Sequence, residues 1–249
     1  MPKSVIKFEN VNLKYPKSEQ NVLSNLNFEL KSGEMVAIIG QSGVGKSTIF
    51  KAIVRNLKPI SGQIQLFNEN INNFKKSKWR HELQNIGFLT QKPNLIAFDN
   101  VYINIKRNIV NNYSNKVFQF LGILNKKQKQ AIYNALEKLN ILDKAFIRID
   151  ELSGGQQQRV EIAKLLIKES KIILADEPTA SLDFKTANEV LNILQKITKE
   201  NQITTIVNIH DLSLINDYFD RVLILSKGKL ILDSEVKNLN LKQLQDYIK

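Results

Sequence analysis

The sequence predicts an α/β fold, a core of buried strands and helices interrupted by a mostly helical insert. Two observations predict it. Met35–Ile39 and residues 172–175 are unbroken apolar runs, the pattern of strands covered on both faces. Between residues 100 and 144 the strand signals fade and the pattern turns helical. The 249 residues suffice for one large domain or a domain with two lobes, and 43% hydrophobic residues is ordinary for a globular chain.

The elements follow in order. Residues 5–15 alternate as a strand and 22–30 form its partner, with a turn at Lys31-Ser32-Gly33-Glu34. The buried strand Met35–Ile39 leads into a glycine-rich loop and a helix over about 46–57. A turn at 59–62 opens a short strand over 63–67, and Ile86–Thr90 is a further buried strand. In the insert, 126–139 is the clearest helix, with Ile132, Leu136 and Leu139 on one face. Another helix opens near Ser153 and continues through 160–168. The buried strand 172–175, an amphipathic helix over 186–200, strands at 203–209, 221–225 and 229–232, and a polar C-terminal helix complete the chain.

Composition narrows the function. There is no cysteine, which excludes disulfides and thiolate metal sites and suits a cytosolic setting. No apolar run approaches the roughly 20 residues that span a bilayer, and Met1-Pro2-Lys3-Ser4 leads straight into a strand without a signal-peptide pattern. The net charge of +12 suits nucleic acid or anionic headgroups, but a composition rich in Lys, Asn and Ile also accounts for it. The lysines are scattered and no aromatic-and-basic RNA-reading motif is present, so a nucleic-acid partner is not expected.

Three local patterns carry chemistry. Gly40-Gln41-Ser42-Gly43-Val44-Gly45-Lys46-Ser47-Thr48 matches G-x-x-x-x-G-K-[ST] between a buried strand and a helix. Its glycines let backbone N–H groups turn toward phosphate, and the helix aims its positive dipole end at the same place. Lys46 can reach β- and γ-phosphates, and Ser47 offers a hydroxyl to Mg²⁺. Asp176 and Glu177 close the apolar strand before Pro178. Asp176 can hold the metal and Glu177 can polarise an attacking water. Leu152-Ser153-Gly154-Gly155-Gln156 opens a second helix with Ser153 as a good N-cap, a second helix start suited to phosphate. The first loop already wraps the phosphates from one side, so the simplest use of the second start is on a nucleotide held by another copy.

Together these residues resemble the ABC ATPase family from about residue 5 to residue 233. Residues 40–48 look like its Walker A loop, 152–156 like its LSGGQ signature and 172–177 like Walker B. Gln91 sits where the family has its Q-loop glutamine, His210 matches the switch histidine, Ser181-Leu182-Asp183 resembles the D-loop, and Tyr15 stands where an aromatic stacks on adenine. The resemblance implies a P-loop NTPase (RecA-like) core with an antiparallel β subdomain and an inserted α-helical signature subdomain. The core would take about 1–92 and 170–235, the helical subdomain about 93–169 and a C-terminal helix about 236–249. It implies ATP and Mg²⁺ as ligands, with the metal held by Ser47, Gln91 and Asp176, and chemistry carried by Glu177, His210, Gln91 and Lys46. In the family, two copies meet head to tail and sandwich ATP between one copy's Walker A and the other's signature. That arrangement gives Ser153, Gly154, Gly155, Gln156 and Asp183 roles across the interface.

A narrower resemblance to the phosphonate-importer ATPase branch shows in residues 148–159, 206–212 and 87–96. It implies an integral membrane permease as partner, a substrate-binding lipoprotein acting through it, and a place on the cytoplasmic face of the cell membrane. The stretch between Ile96 and Asn100 is shorter than that branch's pattern, and Phe184 stands where Pro is usual. Rival readings are an exporter or lipoprotein-release ATPase, which shares the catalytic motifs, and a non-transport ABC ATPase, which usually carries two cassettes or a long coiled coil. A P-loop kinase would have no need of residues 152–156.

Overall fold

The structure, a computed structural model, describes residues 3–111 and 121–239. Two sheets organise it. β1 (Ser4–Leu13), β2 (Leu23–Lys31), β4 (Ser61–Leu66) and β5 (Glu69–Asn70) form an antiparallel sheet in the order β2-β1-β4-β5. Phe8 and Phe28 are direct cross-strand partners, stacked with ring centroids 4.4 Å apart. Aromatic pairs of this kind stabilise a sheet beyond the area they bury.

The second sheet has six strands in the order β10-β9-β3-β8-β7-β6. They are β3 (Met35–Ile39), β6 (Ile86–Thr90), β7 (Ile172–Asp176), β8 (Thr204–Asn208), β9 (Arg221–Ser226) and β10 (Lys229–Glu235). All neighbours run parallel except the β9–β10 hairpin at one edge. The apolar runs behave as double-faced strands must. Met35, Ala37 and Ile39 enter one hydrophobic cluster, while Val36 and Ile38 enter another. Ile173 and Ala175 divide from Ile172 and Leu174 in the same way.

The two clusters assign the layers. One joins the six-stranded sheet to the antiparallel sheet and α1 (Lys46–Ile53). The other takes in Val101 and Ile105 of α3 (Val101–Asn111), Ile132 and Leu136 of α4 (Lys126–Lys138), Val160 and Ile162 of α5 (Gly154–Ile167), and Val190, Leu191 and Leu194 of α6 (Phe184–Glu200). The helical segment thus shares a core with the sheet's second face. A capping box between Asn125 and Gln128 starts α4 where the amphipathic pattern begins.

Three differences from the sequence reading have physical causes. The first helix stops at Ile53, short of residue 57, because Arg55 takes a left-handed φ of 59° and the N–H groups of Asn56 and Leu57 both return to the Lys51 carbonyl. The helix α2 (Lys76–Gln84) was not anticipated; none of its residues is buried, so it carries no full apolar stripe. It is held partly by Trp79, whose ring lies 5.0 Å from the Arg55 guanidinium. Where the sequence predicts a C-terminal helix from about residue 236, the structure has a 3₁₀ turn, Val236–Asn238, that ends on an extended Leu239; residues 240–249 lie outside the described residues, as do 112–120 of the predicted helical middle.

Phe8 is 1% exposed. Phe8→Ala is expected to destabilise the fold by about 3–5 kcal/mol, measured by urea denaturation. A loss under about 1 kcal/mol would show that the β1–β2 aromatic pair is not a core contact.

Candidate functional site

In a parallel sheet the strand ends that face one way form a common rim. Here β3, β8, β7 and β6 are neighbours in that order. Their carboxyl ends deliver the 40–45 loop, Asn208 followed by His210, Asp176 followed by Glu177, and Thr90 followed by Gln91. Positions more than 100 residues apart in sequence become adjacent because the strands are hydrogen-bonded side by side.

The loop after β3 curls over the start of α1. That helix has no side-chain cap, and its N-cap, Gly45, takes φ 113°. A Cβ on Gly45 would stand 2.8 Å from Leu23 Cδ2, so the antiparallel sheet presses directly on the loop. Gly43, at φ 78°, has open space where a Cβ would go. Lys46 is only 6% exposed, and its Nζ donates to the carbonyl oxygens of Gly40 at 2.8 Å and Gln41 at 3.2 Å. Burial pushes its pKa below the usual lysine value, while Glu177 and Asp176 pull the other way. A phosphate entering this loop meets a positive charge that is already desolvated. Ser42 is exposed at the turn and Val44 N–H bonds back to Gln41 O.

Tyr15 lies beside the same helix. Its hydroxyl is 3.1 Å from Thr48 Oγ1 and accepts from Lys51 Nζ at 3.2 Å, and that ammonium also stands 5.2 Å from the ring centroid. The bond to Thr48, then the cation, lowers the phenol's pKa.

The carboxylates on β7 diverge. Asp176 Oδ1 accepts from Ser47 Oγ at 3.1 Å and from Asn208 Nδ2 at 2.7 Å. Glu177 takes a left-handed φ of 52°, an uncommon conformation for a residue with a side chain, and its N–H donates to Asn208 O at 3.2 Å. This turn sends its carboxylate to His210, with Oε1 2.6 Å from Nε2. Ser47, Thr90, Gln91, Lys92, Asp176 and Glu177 line a cleft of about 380 Å³. The oxygens of Ser47, Asp176 and Gln91 along it are the hard donors Mg²⁺ prefers, and among the described residues no group of three or more His, Cys, Asp or Glu could hold a metal alone. That pattern fits a cation bound partly through substrate phosphates.

The second helix start lies elsewhere. Ser153 and Gln156 cap α5 reciprocally: Ser153 Oγ accepts from Gln156 N at 3.3 Å and Gln156 Oε1 accepts from Ser153 N at 3.0 Å. Gly154 faces Leu182, and a Cβ on Gly155 would stand 2.2 Å from Thr186 Cγ2. Asp183 caps α6 through Thr186 N at 3.0 Å and Thr186 Oγ1 at 2.6 Å, bonds that lower its pKa. The structure thus gathers Lys46, Ser47, Gln91, Asp176, Glu177 and His210 at one rim and sets Gly154 against Leu182 and Gly155 against Thr186, with Ser153 and Gln156 capping each other beside them.

The sequence assigns no site role to Asn208, Gln158 or Lys51, although the first two lie in segments that carry the branch resemblance. Gln158, 1% exposed, donates to Thr90 O at 3.3 Å and ties α5 to the strand end before Gln91. A polar residue in an otherwise buried strand was the available signal for Asn208; Gln158 and Lys51 gave none, since their partners are remote in sequence.

Comparison with known proteins defines the class. The family model described as ABC transporter matches residues 23–180. The chain belongs to the ABC transporter family and is an ATP-hydrolysing cassette of the kind that energises it. It is 37% identical over 239 residues to the phosphonates import ATP-binding protein PhnC 3 of Halalkalibacterium halodurans, covering 95% of this chain and 91% of that protein. Among solved structures, cbiO1 from Clostridium perfringens, part of the ABC transporter complex cbiONQ, superposes with a TM-score of 0.83 at 31% identity, over 94% of this chain and 90% of that one. The dimeric post-hydrolysis cassette MJ0796 bound to ADP and Pi gives 0.76 at 29% identity, over 94% and 100%.

The Gly155 contact yields a two-step prediction. Gly155→Ala should cost about 1–3 kcal/mol through overpacking against Thr186. Adding Thr186→Ser, which removes the clashing Cγ2 and keeps the hydroxyl on Asp183, should recover most of that loss in thermal unfolding. Additive losses in the double variant would refute the contact.

Proposed function

We propose that this chain is the ATP-driven subunit of an import system, working as a pair of copies on the cytoplasmic face of a membrane and moving a separate permease. The observation that carries the catalytic half is the divergence of the two carboxylates. Asp176 bonds to the phosphate-loop Ser47, while the left-handed turn at Glu177 delivers its carboxylate to His210. One acid is thereby oriented toward a metal and the other toward a proton.

In this reading Gly40, Gln41, Ser42, Gly43, Val44, Gly45, Lys46, Ser47 and Thr48 hold the phosphates of ATP, and Tyr15 packs on the base. Ser47, Gln91 and Asp176 hold Mg²⁺. When bound, Mg²⁺ neutralises charge on the transferring phosphoryl group. Glu177 takes a proton from the attacking water, and His210, 2.6 Å away, holds that carboxylate in line and senses the terminal phosphate. Lys46 contributes a charge that needs little further desolvation.

The second copy enters through Ser153, Gly154, Gly155 and Gln156. Gly154 and Gly155 sit against Leu182 and Thr186, which flank Asp183, and the four residues serve a nucleotide on a facing molecule, with Asp183 at the seam between copies. The dimeric MJ0796 cassette with ADP and Pi supports that arrangement. Among the described residues no helix is long and apolar enough to cross a membrane, so the membrane path is assigned to a permease partner. The relative named for phosphonates import supports a phosphonate as cargo; a related organic phosphate or cofactor, and an extracytoplasmic binding lipoprotein that delivers it, follow from the branch resemblance alone.

Glu177→Gln is expected to lower ATP turnover by roughly 10²–10⁴-fold and to accumulate an ATP-bound dimer in size-exclusion chromatography. Wild-type turnover in that variant would remove Glu177 from the base role. Lys46→Ala should abolish nucleotide binding measured by fluorescence titration, and retained binding would remove the loop from the phosphate role.

A further inference from the structure

β8 is buried at every position, Thr204 to Asn208, and an apolar residue would serve the packing at its end. Instead that position holds Asn208, 0% exposed. Its Oδ1 is buried without a hydrogen-bond partner, a cost that Val or Leu would not incur. Something must offset that cost. The Nδ2 donates to Asp176 Oδ1 at 2.7 Å, shorter than the 3.1 Å bond from Ser47 to the same oxygen. Asn208 and Asp176 are direct register partners in the β7–β8 ladder, so the side chain reaches the carboxylate across one strand spacing. The backbone carbonyl of Asn208 also accepts the N–H of Glu177, the residue whose left-handed turn separates the two acids.

We propose that Asn208 is a positioning residue for Asp176, fixing that carboxylate through its side-chain amide. The proposal rests on the metal-holding role assigned to Asp176 above. Ser47 and Asn208 share one carboxylate oxygen, so when the Ser47 hydroxyl turns toward a cation, Asn208 keeps Asp176 from rotating. The amide donor therefore preorganises the metal site, and it does so with a neutral group that does not compete with the cation for the carboxylate charge.

The test is Mn²⁺ binding to the full chain with a non-hydrolysable ATP analogue, followed by electron paramagnetic resonance. Asn208→Leu should weaken Mn²⁺ binding on the order of tenfold, the scale on which outer hydrogen-bond partners act on a metal site. Nucleotide affinity in EDTA should stay within about twofold, because the donor acts on the metal side only. Thermal stability should be equal or higher, because the unpaired carbonyl is gone. Asn208→Val, a β-branched residue suited to a buried strand, gives a second folded protein for the same measurements. Unchanged Mn²⁺ affinity in either folded variant overturns the proposal. So does a parallel loss of stability and metal-free nucleotide binding, which would mark a merely structural role. Asp176→Asn run alongside separates the two readings. If it too leaves Mn²⁺ binding unchanged, the metal assignment falls and this inference with it; if only it weakens Mn²⁺, this inference alone falls.

Discussion

Burial of a parallel sheet on both faces is the constraint on which the rest of this molecule depends. A strand such as β3, with Met35, Ala37 and Ile39 in one core and Val36 and Ile38 in another, has no face on which to carry a charge. Polar chemistry is displaced to the strand ends, where the ladder stops and backbone groups are free to turn. The glycine-rich loop, Glu177, Gln91 and His210 stand just past the carboxyl ends of neighbouring strands, and Asp176 at the last position of β7, for that reason.

The site inherits its electrostatics from the same burial. Lys46 sits at the junction of the loop and α1, where desolvation holds its pKa down and two loop carbonyls hold its ammonium. The carboxylates across the rim offset part of that cost. Asp176 and Glu177 are consecutive, yet the positive φ at Glu177 turns one toward Ser47 and the other toward His210. A single strained residue converts adjacent acids into groups with separate partners.

The helical segment follows a second logic. Its α5 begins with a self-satisfied capping box, unlike α1, which begins without a side-chain cap. The Ser153–Gly155 turn packs on the start of α6 with no room for a side chain at Gly155. Gln158 then carries a hydrogen bond from the same helix to the strand end before Gln91. The two polar regions of the chain are therefore tied through packed elements.

Strand identity, the glycine-rich loop before a helix, and the carboxylate pair closing an apolar run were legible in the sequence because they are local. Each depends on residue spacing within one element, whereas membership of the ABC family was legible through the combined resemblance of residues 40–48, 152–156 and 172–177. Less was legible where no local pattern existed: α2 has no buried residue, and the end of α1 turns on the φ of Arg55 and the bonds of Asn56 and Leu57 back to the Lys51 carbonyl. Strand order was the tertiary structure's decision. Only the placement of β8 between β3 and β7 puts Asn208 on Asp176 and His210 on Glu177, because hydrogen bonds between strands join residues that no sequence period relates.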